Sequence, residues 1–144
     1  MKGRLGTTGL LHEDGRQTIV LAERGKRYVA DNVSRKIVLQ YRVDGAIVTE
    51  GERCDFLLGI PADQEVRLIE LKGTDVAKAA RQVMATFLFL GGRLIGYVVH
   101  GRIVVSHVRR PNLPPTDLVA LKKRLSAHGK GTVKLESLEL RENI

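Results

Sequence analysis

The chain has 144 residues, of which 24 are Lys or Arg and 16 are Asp or Glu, so its net charge is +8 and its pI is near 10.0. Its length predicts one ordinary domain, and its 43% hydrophobic share is typical of a folded protein. The sequence lacks both the long apolar run of a transmembrane helix and the apolar core of a signal peptide. The single cysteine, Cys54, excludes an internal disulfide and predicts a reducing, cytoplasmic setting.

The first part of the chain gives weak structural signals. Residues 1–17 are rich in Gly, His and charged residues, which predicts an irregular arm. Residues 18–22 are compatible with a strand or with the start of a helix, because so short an apolar run does not separate the two periods.

Strand signals become clear in the second quarter of the chain. Residues 37–43 are β-branched and aromatic, Asp44 and Gly45 follow, and residues 46–49 are again β-prone. An Asp-Gly pair between two such runs predicts a hairpin, because both central residues of that turn need a positive φ. Two further strands are expected at residues 53–58 and 66–72. Together these runs predict an antiparallel meander.

The period then changes to that of a helix. Residues 75–90 place apolar side chains at i, i+3, i+4 and i+7, with Thr74 or Asp75 as the cap and Gly91 after the last turn. A second helix is expected from Thr116 to residue 128. The remaining apolar runs predict strands at residues 93–99 and 103–108, on either side of His100 and Gly101, and an edge strand at residues 132–140.

These elements predict a single α/β or α+β domain over residues 1–144. A central mixed sheet contains the antiparallel meander, one long helix follows the strand at residues 66–72, and a second helix lies near the C-terminus. The segments rich in Pro and Gly are interpreted as loops inside this domain, because the composition does not change across them.

Three charged residues lie in or beside the apolar cores of two predicted strands: Asp55, Glu70 and Lys72. Glu70 and Lys72 are two apart, so their side chains leave one face of the strand roughly 6.5 to 7 Å apart along it. If the two strands pair antiparallel, Asp55 lies near Glu70 on that face. Neighbouring carboxylates suit a hard cation such as Mg²⁺, which acidifies a bound water and holds a phosphate oxygen. This pattern predicts a site for phosphodiester hydrolysis.

The combination of Asp55, Glu70-Leu71-Lys72 on the next strand and Gln82 on the following helix resembles the signature of the PD-(D/E)XK nuclease superfamily. The order of elements is similar to that of small Holliday-junction resolvases. The resemblance implies Mg²⁺, with Mn²⁺ as a substitute, bound by Asp55, Glu70 and the carbonyl oxygen of Leu71. It also implies that Lys72 lies beside the attacking water and that Gln82 is an auxiliary catalytic group at the rim of the site.

A second interpretation stays open, in which Glu70 and Lys72 pair with each other on a solvated strand face and Asp55 neighbours an Arg. The family usually contributes a further acid from its first helix. Three residues are candidates for this acid: Glu13, Glu23 and Asp31. Loss of such acids is how nuclease folds become inactive binding modules, so the identity of this residue bears directly on activity.

Other reactive side chains have simpler explanations. Asp44 is interpreted as a turn residue and Cys54 as a small buried side chain in a strand. The four histidines lack the spacing of metal ligands: His12, His100, His107 and His128. The sequence also contains no phosphate-binding loop, so nucleotide-dependent chemistry is not indicated.

The positive charge predicts a polyanionic partner, and DNA is the one that suits a nuclease. The residues expected to contact its phosphates are Arg109, Arg110, Lys122, Lys123, Arg124 and Lys130. The solvent face of an amphipathic helix explains residues 122–124 equally well. A second basic group lies earlier in the chain: Arg24, Lys26, Arg27, Arg35 and Lys36. Because aromatic residues are only 4% of the chain, duplex or branched DNA is favoured over a single strand bound by base stacking.

The preferred function is therefore a Mg²⁺-dependent endonuclease that acts on duplex or branched DNA, as a homodimer where both strands are cut. Two alternatives stay open. The first is a catalytically inactive module of nuclease-like fold that binds nucleic acid or protein. The second is an α+β protein of unrelated fold whose basic surface serves assembly with RNA.

Overall fold

The chain folds into two β-sheets and a layer of helices. In the computed structural model, which describes residues 1–71, 73–108 and 114–144, the strands are β1 Leu10–Asp14, β2 Thr18–Glu23, β3 Lys26–Asp31, β4 Val38–Arg42, β5 Phe56–Ile60, β6 Glu65–Glu70, β7 Val98–Val105, β8 Val133–Ser137 and β9 Glu139–Asn143. The helices of these residues are α1 Lys2–Leu5, α2 Val76–Leu90 and α3 Thr116–Ala127. The predicted α+β class is confirmed.

The main sheet has the strand order β1-β4-β5-β6-β7-β8. Strands β1, β4, β5 and β6 pair antiparallel, whereas β6, β7 and β8 pair parallel. Helix α2 connects β6 to β7, and α3 connects β7 to β8. Such crossovers are almost always right-handed. Because both connections move the chain the same way along the strand order, from β6 to β7 and from β7 to β8, the two helices lie on the same face of the sheet. The predicted mixed sheet with an antiparallel meander is confirmed, and the meander consists of β4, β5 and β6.

A small sheet covers the opposite face of the main sheet. Its strand order is β2-β3-β9, in which β2 and β3 form an antiparallel hairpin and β9 pairs parallel with β3. The apolar core between the two sheets includes Ile19, Leu58, Ile69, Val104 and Leu140. A second core, between the main sheet and the helices, includes Leu57, Leu68, Val83, Ile103 and Leu121. The central strands are therefore buried on both faces, which explains their nearly continuous apolar sequences.

A buried network of charged side chains joins the two sheets around Glu142 of β9. The Glu142 Oε1 accepts hydrogen bonds from the Tyr28 hydroxyl at 2.8 Å and from Arg67 Nη1 at 2.6 Å. The same oxygen accepts a bond from Arg102 Nε at 2.8 Å, while Oε2 accepts one from Lys134 Nζ at 2.9 Å. The side chain of Glu142 is only 7% exposed. Charges are tolerated at such depth because they are paired with one another.

Both predicted helices are confirmed. Helix α2 begins after Asp75, whose Oδ1 accepts a hydrogen bond from the Lys78 N–H at 3.0 Å, and it ends at Gly91. This is the predicted arrangement of an acidic cap and a terminating glycine. Helix α3 begins at Thr116 and ends before His128. Of the helices in the described part of the chain, none combines the length and the hydrophobicity needed to cross a bilayer.

The expectation of an irregular arm at residues 1–17 is wrong for Leu10–Asp14. This segment is β1, the edge strand that pairs antiparallel with β4, and its register is irregular near His12. Short length, charged residues and irregular pairing are typical of edge strands. Such a segment becomes a strand because it pairs with another strand, and the local sequence does not identify that partner.

The hairpin predicted at Asp44 and Gly45 is also wrong. Gly45 adopts φ 78° in a tight loop that brings Asp44 into a single bridge with Val48, and residues 45–47 form a turn. Strand β4 pairs instead with β5, in which all five residues are buried. A fully buried apolar run occupies this central position in preference to the half-buried residues around Ile47.

The two strands predicted at residues 93–99 and 103–108 are a single strand, β7. Gly101 continues this strand because it lies beneath the helix layer, where a Cβ would be 3.4 Å from both Val83 Cγ1 and Leu125 Cδ1. A Cβ here would meet both helices at ordinary contact distance, so this glycine packs inside the strand and does not mark a turn.

The edge strand predicted at residues 132–140 is instead two strands, β8 and β9. Leu138 adopts φ 65° between them, and its N–H donates to the carbonyl of Val105 at 2.9 Å. The chain passes at this residue from the edge of the main sheet to the small sheet. A left-handed leucine is rare, so its sequence gives no signal for the break.

Candidate active site

Asp55 and Glu70 lie at the end of the main sheet where α2 begins. Glu70 is the last residue of β6, and Asp55 immediately precedes β5, which pairs antiparallel with β6. Leu57 and Leu68 face the helix layer, so Asp55 and Glu70, each two residues away along its strand, face the same layer. Both residues are fully buried. The two acids expected to be neighbours are therefore placed on one face at one end of the sheet.

Hydrogen bonds hold Asp55 between three segments of the chain. Its N–H donates to the carbonyl of Ile69 at 3.0 Å, and its own carbonyl accepts from the Val43 N–H at 2.9 Å. Its side-chain Oδ2 accepts a bond from the Leu71 N–H at 2.9 Å. The side chain therefore reaches from the start of β5 to the end of β6, and Leu71, the third expected ligand, lies beside it.

The thiol of Cys54 responds to the charge of both carboxylates. The pKa of this thiol is raised to about 12: burial is the largest cause, a hydrogen bond with Thr86 lowers the pKa, and the charges of Glu70 and Asp55 raise it. The thiol stays protonated at neutral pH, so Cys54 is a small buried side chain and not a nucleophile.

Thr86 of α2 connects the helix layer to the carboxylates. Its Oγ1 accepts a hydrogen bond from the Cys54 N–H at 2.9 Å and donates one to the Gln82 carbonyl at 3.1 Å. Thr86 is fully buried. One hydroxyl thus fixes the residue before Asp55 against the helix that carries Gln82.

Replacing Thr86 with Val is expected to destabilise the protein by about 1–3 kcal/mol, because the buried Cys54 N–H loses its acceptor. Urea unfolding followed by circular dichroism measures this loss. The matched control is Thr86→Ser, which keeps the hydroxyl and removes only a methyl group, and it should cost less than the Val substitution. A Val variant as stable as the wild type would contradict the role of this hydrogen bond.

A cleft, here termed the α2 cleft, lies along the first turns of α2, and neither Asp55 nor Glu70 lines it. It consists of two cavities of about 330 and 250 Å³ that share Lys78 and Gln82 of α2. The first cavity is also lined by Arg24, Gly73 and Asp75. The second is also lined by Asp44, Gly51, Glu52 and Arg53. Because Gly73 follows closely after Glu70 in the chain, the cleft opens at the end of the sheet that holds the two acids.

The residues expected to bind the cation supply only oxygen donors. The carboxylates of Asp55 and Glu70 and the backbone carbonyl of Leu71 are oxygen ligands of the kind that Mg²⁺ takes, with water completing its shell. Among residues 1–71, 73–108 and 114–144, no group of three or more His, Cys, Asp and Glu residues is arranged to hold a metal ion. A cation here would therefore be held by two carboxylates and the backbone.

The remaining predicted catalytic residues have different outcomes. Gln82 lies on the wall of the α2 cleft, half-buried, which is the rim position that the resemblance implies. Lys72 lies outside the described residues. The geometry thus places Asp55, Glu70, Leu71 and Gln82 at one end of the fold.

The predicted phosphate-binding residues of the C-terminal part lie away from the α2 cleft. Those that the structure describes are exposed and line neither cavity of the cleft: Lys122, Lys123, Arg124 and Lys130. Helices α2 and α3 run side by side, because Arg81 pairs with Asp117 at 3.0 Å and the Arg124 guanidinium lies 5.8 Å from the centre of the Phe87 ring. The cleft is at the start of α2, whereas these cations lie in the second half of α3 and just beyond its end. Arg109 and Arg110 lie outside the described residues.

Three basic residues of the cleft were not predicted as site residues: Arg24, Arg53 and Lys78. Arg53 donates from Nε to Asp44 Oδ1 at 2.6 Å, so Asp44, interpreted as a turn residue, also contributes to the cleft wall. Lys78 precedes Gln82 by one helical turn, and this spacing is a signal that places both on one helix face. The sequence gives no signal that Arg24 belongs to this cleft, beyond its place in the second basic group.

The acid expected from the first helix is absent from α1, whose residues are Lys, Gly, Arg and Leu. Two of the three candidates lie in ion pairs elsewhere: Glu13 with a lysine at 2.9 Å and Asp31 with an arginine at 2.7 Å. Glu23 is the last residue of β2 and directly precedes Arg24 of the cleft. Of the three, Glu23 is therefore the one whose position borders the site.

Comparison with protein-family models, with curated proteins and with solved structures found no match to this chain. A function for this chain is therefore inferred from the residues at the end of β6 and from the order of the elements around them.

Proposed function

We propose that the protein is a divalent-metal-dependent nuclease that acts on DNA, duplex or branched. The observation that supports this most is the placement of Asp55 and Glu70, both fully buried, on one face of the main sheet at the end where α2 begins. In sheets of this kind, ligands bind outside the carboxyl ends of the parallel strands, which is where these acids lie. The net charge of +8 favours a polyanionic substrate.

Asp55, Glu70 and the carbonyl of Leu71 are the proposed ligands of the cation. When bound, Mg²⁺ acidifies a water molecule and stabilises negative charge on a phosphate oxygen. Asp55 is held for this role by the Leu71 N–H and by the backbone of Ile69. Lys72 is proposed to orient the attacking water and to stabilise the developing charge. Gln82, on the cleft wall, is proposed to position the water or the phosphate by hydrogen bonds.

The second candidate function is a catalytically inactive nuclease-like module that binds nucleic acid or protein. One observation favours it: α1 carries no acidic residue, although the resemblance implies an acid from the first helix. Such a module would keep the cleft and its basic residues and would lack cleavage. The two candidates therefore differ in a single measurable property.

Incubation of the purified protein with labelled duplex, nicked and four-way-branched DNA tests the proposal. Cleavage is expected with Mg²⁺ or Mn²⁺ and not with EDTA. Lys72→Ala should lose cleavage yet keep the stabilisation that the metal gives to the fold, because Lys72 is not a proposed ligand. The matched control is Lys2→Ala, since Lys2 forms an exposed pair with Glu13, and it should cleave like the wild type. A wild-type protein that cuts none of the substrates, or a Lys72→Ala variant that cuts normally, would contradict the proposed nuclease activity.

Dimer formation is a further part of the proposal. A domain of 144 residues that cuts both strands of a duplex, or two strands of a junction, would act as a two-fold symmetric pair. Light scattering of the protein with and without branched DNA measures this. A monomer that still releases both strands at equal rates would contradict it.

A further inference from the structure

We propose that Arg24 and Lys78 form a two-sided clamp for a DNA backbone phosphate at the α2 cleft, and that the hairpin of β2 and β3 is a substrate-binding element. The proposal rests on the proposed function for the identity of the polyanion. It assigns to the small sheet a role beyond covering the core, because that sheet supplies one side of the clamp.

The two cations reach the same cavity from different layers of the fold. The cavity of about 330 Å³ is lined by Arg24, Gly73, Asp75, Lys78 and Gln82. Arg24 lies in the turn between β2 and β3 of the small sheet, whereas Lys78 lies in the first turn of α2. Gly73, which follows closely after the proposed metal ligand Glu70 in the chain, also lines this cavity. A phosphate in this cavity would therefore be adjacent to the proposed cation site.

Both side chains are available for an anion. Arg24 and Lys78 are exposed, and neither forms an ion pair with another residue that the structure describes. Nearby arginines differ in this respect, since Arg27 pairs with Glu139 and Arg81 pairs with Glu52 and Asp117. A cation without an acidic partner gains more from a phosphate, because binding does not break an existing pair.

Among the described residues that line this cavity, Asp75 is the only carboxylate, and it caps helix α2. Its Oδ1 accepts the Lys78 N–H at 3.0 Å as the cap of α2. The carboxylate is therefore held by the cap, while the side chains of the two cations are exposed. Gln82 adds a neutral amide that can donate to a phosphate oxygen. The cavity thus combines two cations, one amide and one capped acid.

The turn that carries Arg24 holds it in place at a conformational cost. Glu23 pairs with Lys26, so Arg24 and Gly25 form a two-residue loop, and their φ values are 48° and 78°. Positive φ at both positions defines a type I′ turn, for which Asn-Gly is the favoured pair. An arginine at the first position is less favourable than asparagine for the fold. Strain of this kind is often retained where the side chain has a function.

The test compares substitutions that keep the turn while they remove the charge. Arg24→Asn introduces the residue that a type I′ turn prefers, so stability should equal or exceed that of the wild type. Its matched control is Arg35→Asn, because Arg35 is also exposed at a positive φ, 52°, and lines neither cavity of the cleft. Lys78→Gln tests the other side of the clamp. A Lys122→Gln and Lys123→Gln double variant tests the competing surface on α3.

Binding is measured by fluorescence anisotropy with labelled duplex and branched DNA in EDTA, over a series of salt concentrations. Arg24→Asn and Lys78→Gln should each weaken binding by about tenfold and lower the slope of log affinity against log salt by about 1, the value for one lost phosphate contact. Arg35→Asn should change affinity less than about twofold, as expected for a cation without a phosphate contact.

The clamp would be overturned by affinities of Arg24→Asn and Lys78→Gln that match the Arg35→Asn control, or by a larger loss from the α3 double variant than from either clamp variant. A wild-type protein that binds no DNA overturns it as well. The proposed nuclease is judged separately by cleavage. Binding that depends on Arg24 and Lys78 without any cleavage supports the clamp and rejects the nuclease, whereas cleavage with clamp variants that bind normally rejects the clamp alone.

Discussion

Replacing Glu70 with Gln is expected to abolish metal-dependent DNA cleavage. The substitution keeps the size of a fully buried side chain and removes one of two proposed carboxylate ligands. A catalytic cation contributes several kcal/mol to transition-state stabilisation, so the rate should fall by at least roughly 100-fold. Single-turnover cleavage of labelled DNA in Mg²⁺ and in Mn²⁺ measures the change.

Asp55→Asn should give the same loss for the same reason. The amide oxygen of Asn can still accept the hydrogen bond that the Leu71 N–H gives to Asp55 Oδ2 at 2.9 Å, so the local backbone should be kept. A second measurement separates a lost ligand from a damaged fold. Mn²⁺ should raise the Tm of the wild type, as any ligand that binds only the folded state does, and should not raise that of either variant.

The control for these two substitutions is Glu50→Gln. Glu50 is exposed in the loop that precedes Asp55 and lines neither cavity of the α2 cleft. It should cleave DNA and respond to Mn²⁺ like the wild type. Normal cleavage by Glu70→Gln would reject the nuclease site. If Mn²⁺ does not change the Tm of the wild type and the wild type cleaves none of the DNA substrates, the inactive module is favoured.

The strand side of the candidate site was predictable from local sequence. The positions of Asp55 and Glu70 follow from the alternation of side chains in two adjacent antiparallel strands, and such alternation is visible without knowing the rest of the fold. Helix α2, with Gln82 on it, follows from its apolar period and from the cap at Asp75. These features depend on residues that are near one another in the chain.

The other side of the site depends on pairings between distant segments, and the sequence could not predict it. Arg24 reaches the cleft because β2 and β3 join β9, and the parallel pair places Tyr28 opposite Leu140. Edge strand β1 and the sheet change at Leu138 likewise depend on partners far along the chain. Gly101 was also not predictable, because the sequence does not distinguish a glycine inside a strand from a glycine in a turn. What distinguishes Gly101 is its packing against Val83 and Leu125 of the helices, which are distant in the chain.

Replacing Glu142 with Leu is expected to destabilise the protein by about 3–5 kcal/mol, the cost of breaking a buried ion pair by removing one partner. The side chains of Arg67 and Arg102 are 8% and 4% exposed, and both donate to Glu142 Oε1. Without the carboxylate, two buried guanidinium groups would lose their shared acceptor. Urea unfolding with circular dichroism measures the change.

The matched control lies on the same strand. Glu139 also pairs with an arginine, Arg27, but both side chains are partly exposed, at 39% and 55%. Glu139→Leu should therefore cost less than about 1 kcal/mol, as exposed pairs usually do. Equal losses for the two substitutions would show that burial of the network around Glu142 does not determine its contribution.

The network also predicts how stability depends on pH. Burial alone would raise the pKa of the Glu142 carboxyl, but hydrogen bonds from Arg102 and Lys134 and the charge of Arg67 lower it from 4.5 to about 2. Because the folded pKa is the lower one, the contribution of Glu142 is complete above pH 4.5 and is lost as the pH falls to about 2.

His100 adds a loss that begins at higher pH. Burial lowers its pKa below 6.5, the charge of Arg102 acts in the same direction, and Glu65 opposes them. Its Nδ1 accepts the Thr132 N–H at 3.0 Å, which requires that this nitrogen carry no proton. Folding thus favours the neutral ring. Its contribution to the free energy of unfolding is complete above pH 6.5 and declines as the pH falls from there through the lower pKa of the folded state.

The two groups can be separated by substitution. Glu142→Gln removes the titrating carboxyl, so its free energy of unfolding should change less than that of the wild type between pH 4.5 and about 2. The decline that begins near pH 6.5 should persist in this variant, because His100 is unchanged. Urea unfolding across the two pH ranges distinguishes these contributions. Parallel curves for wild type and Glu142→Gln below pH 4.5 would mean that other carboxylates control the acid stability of the fold.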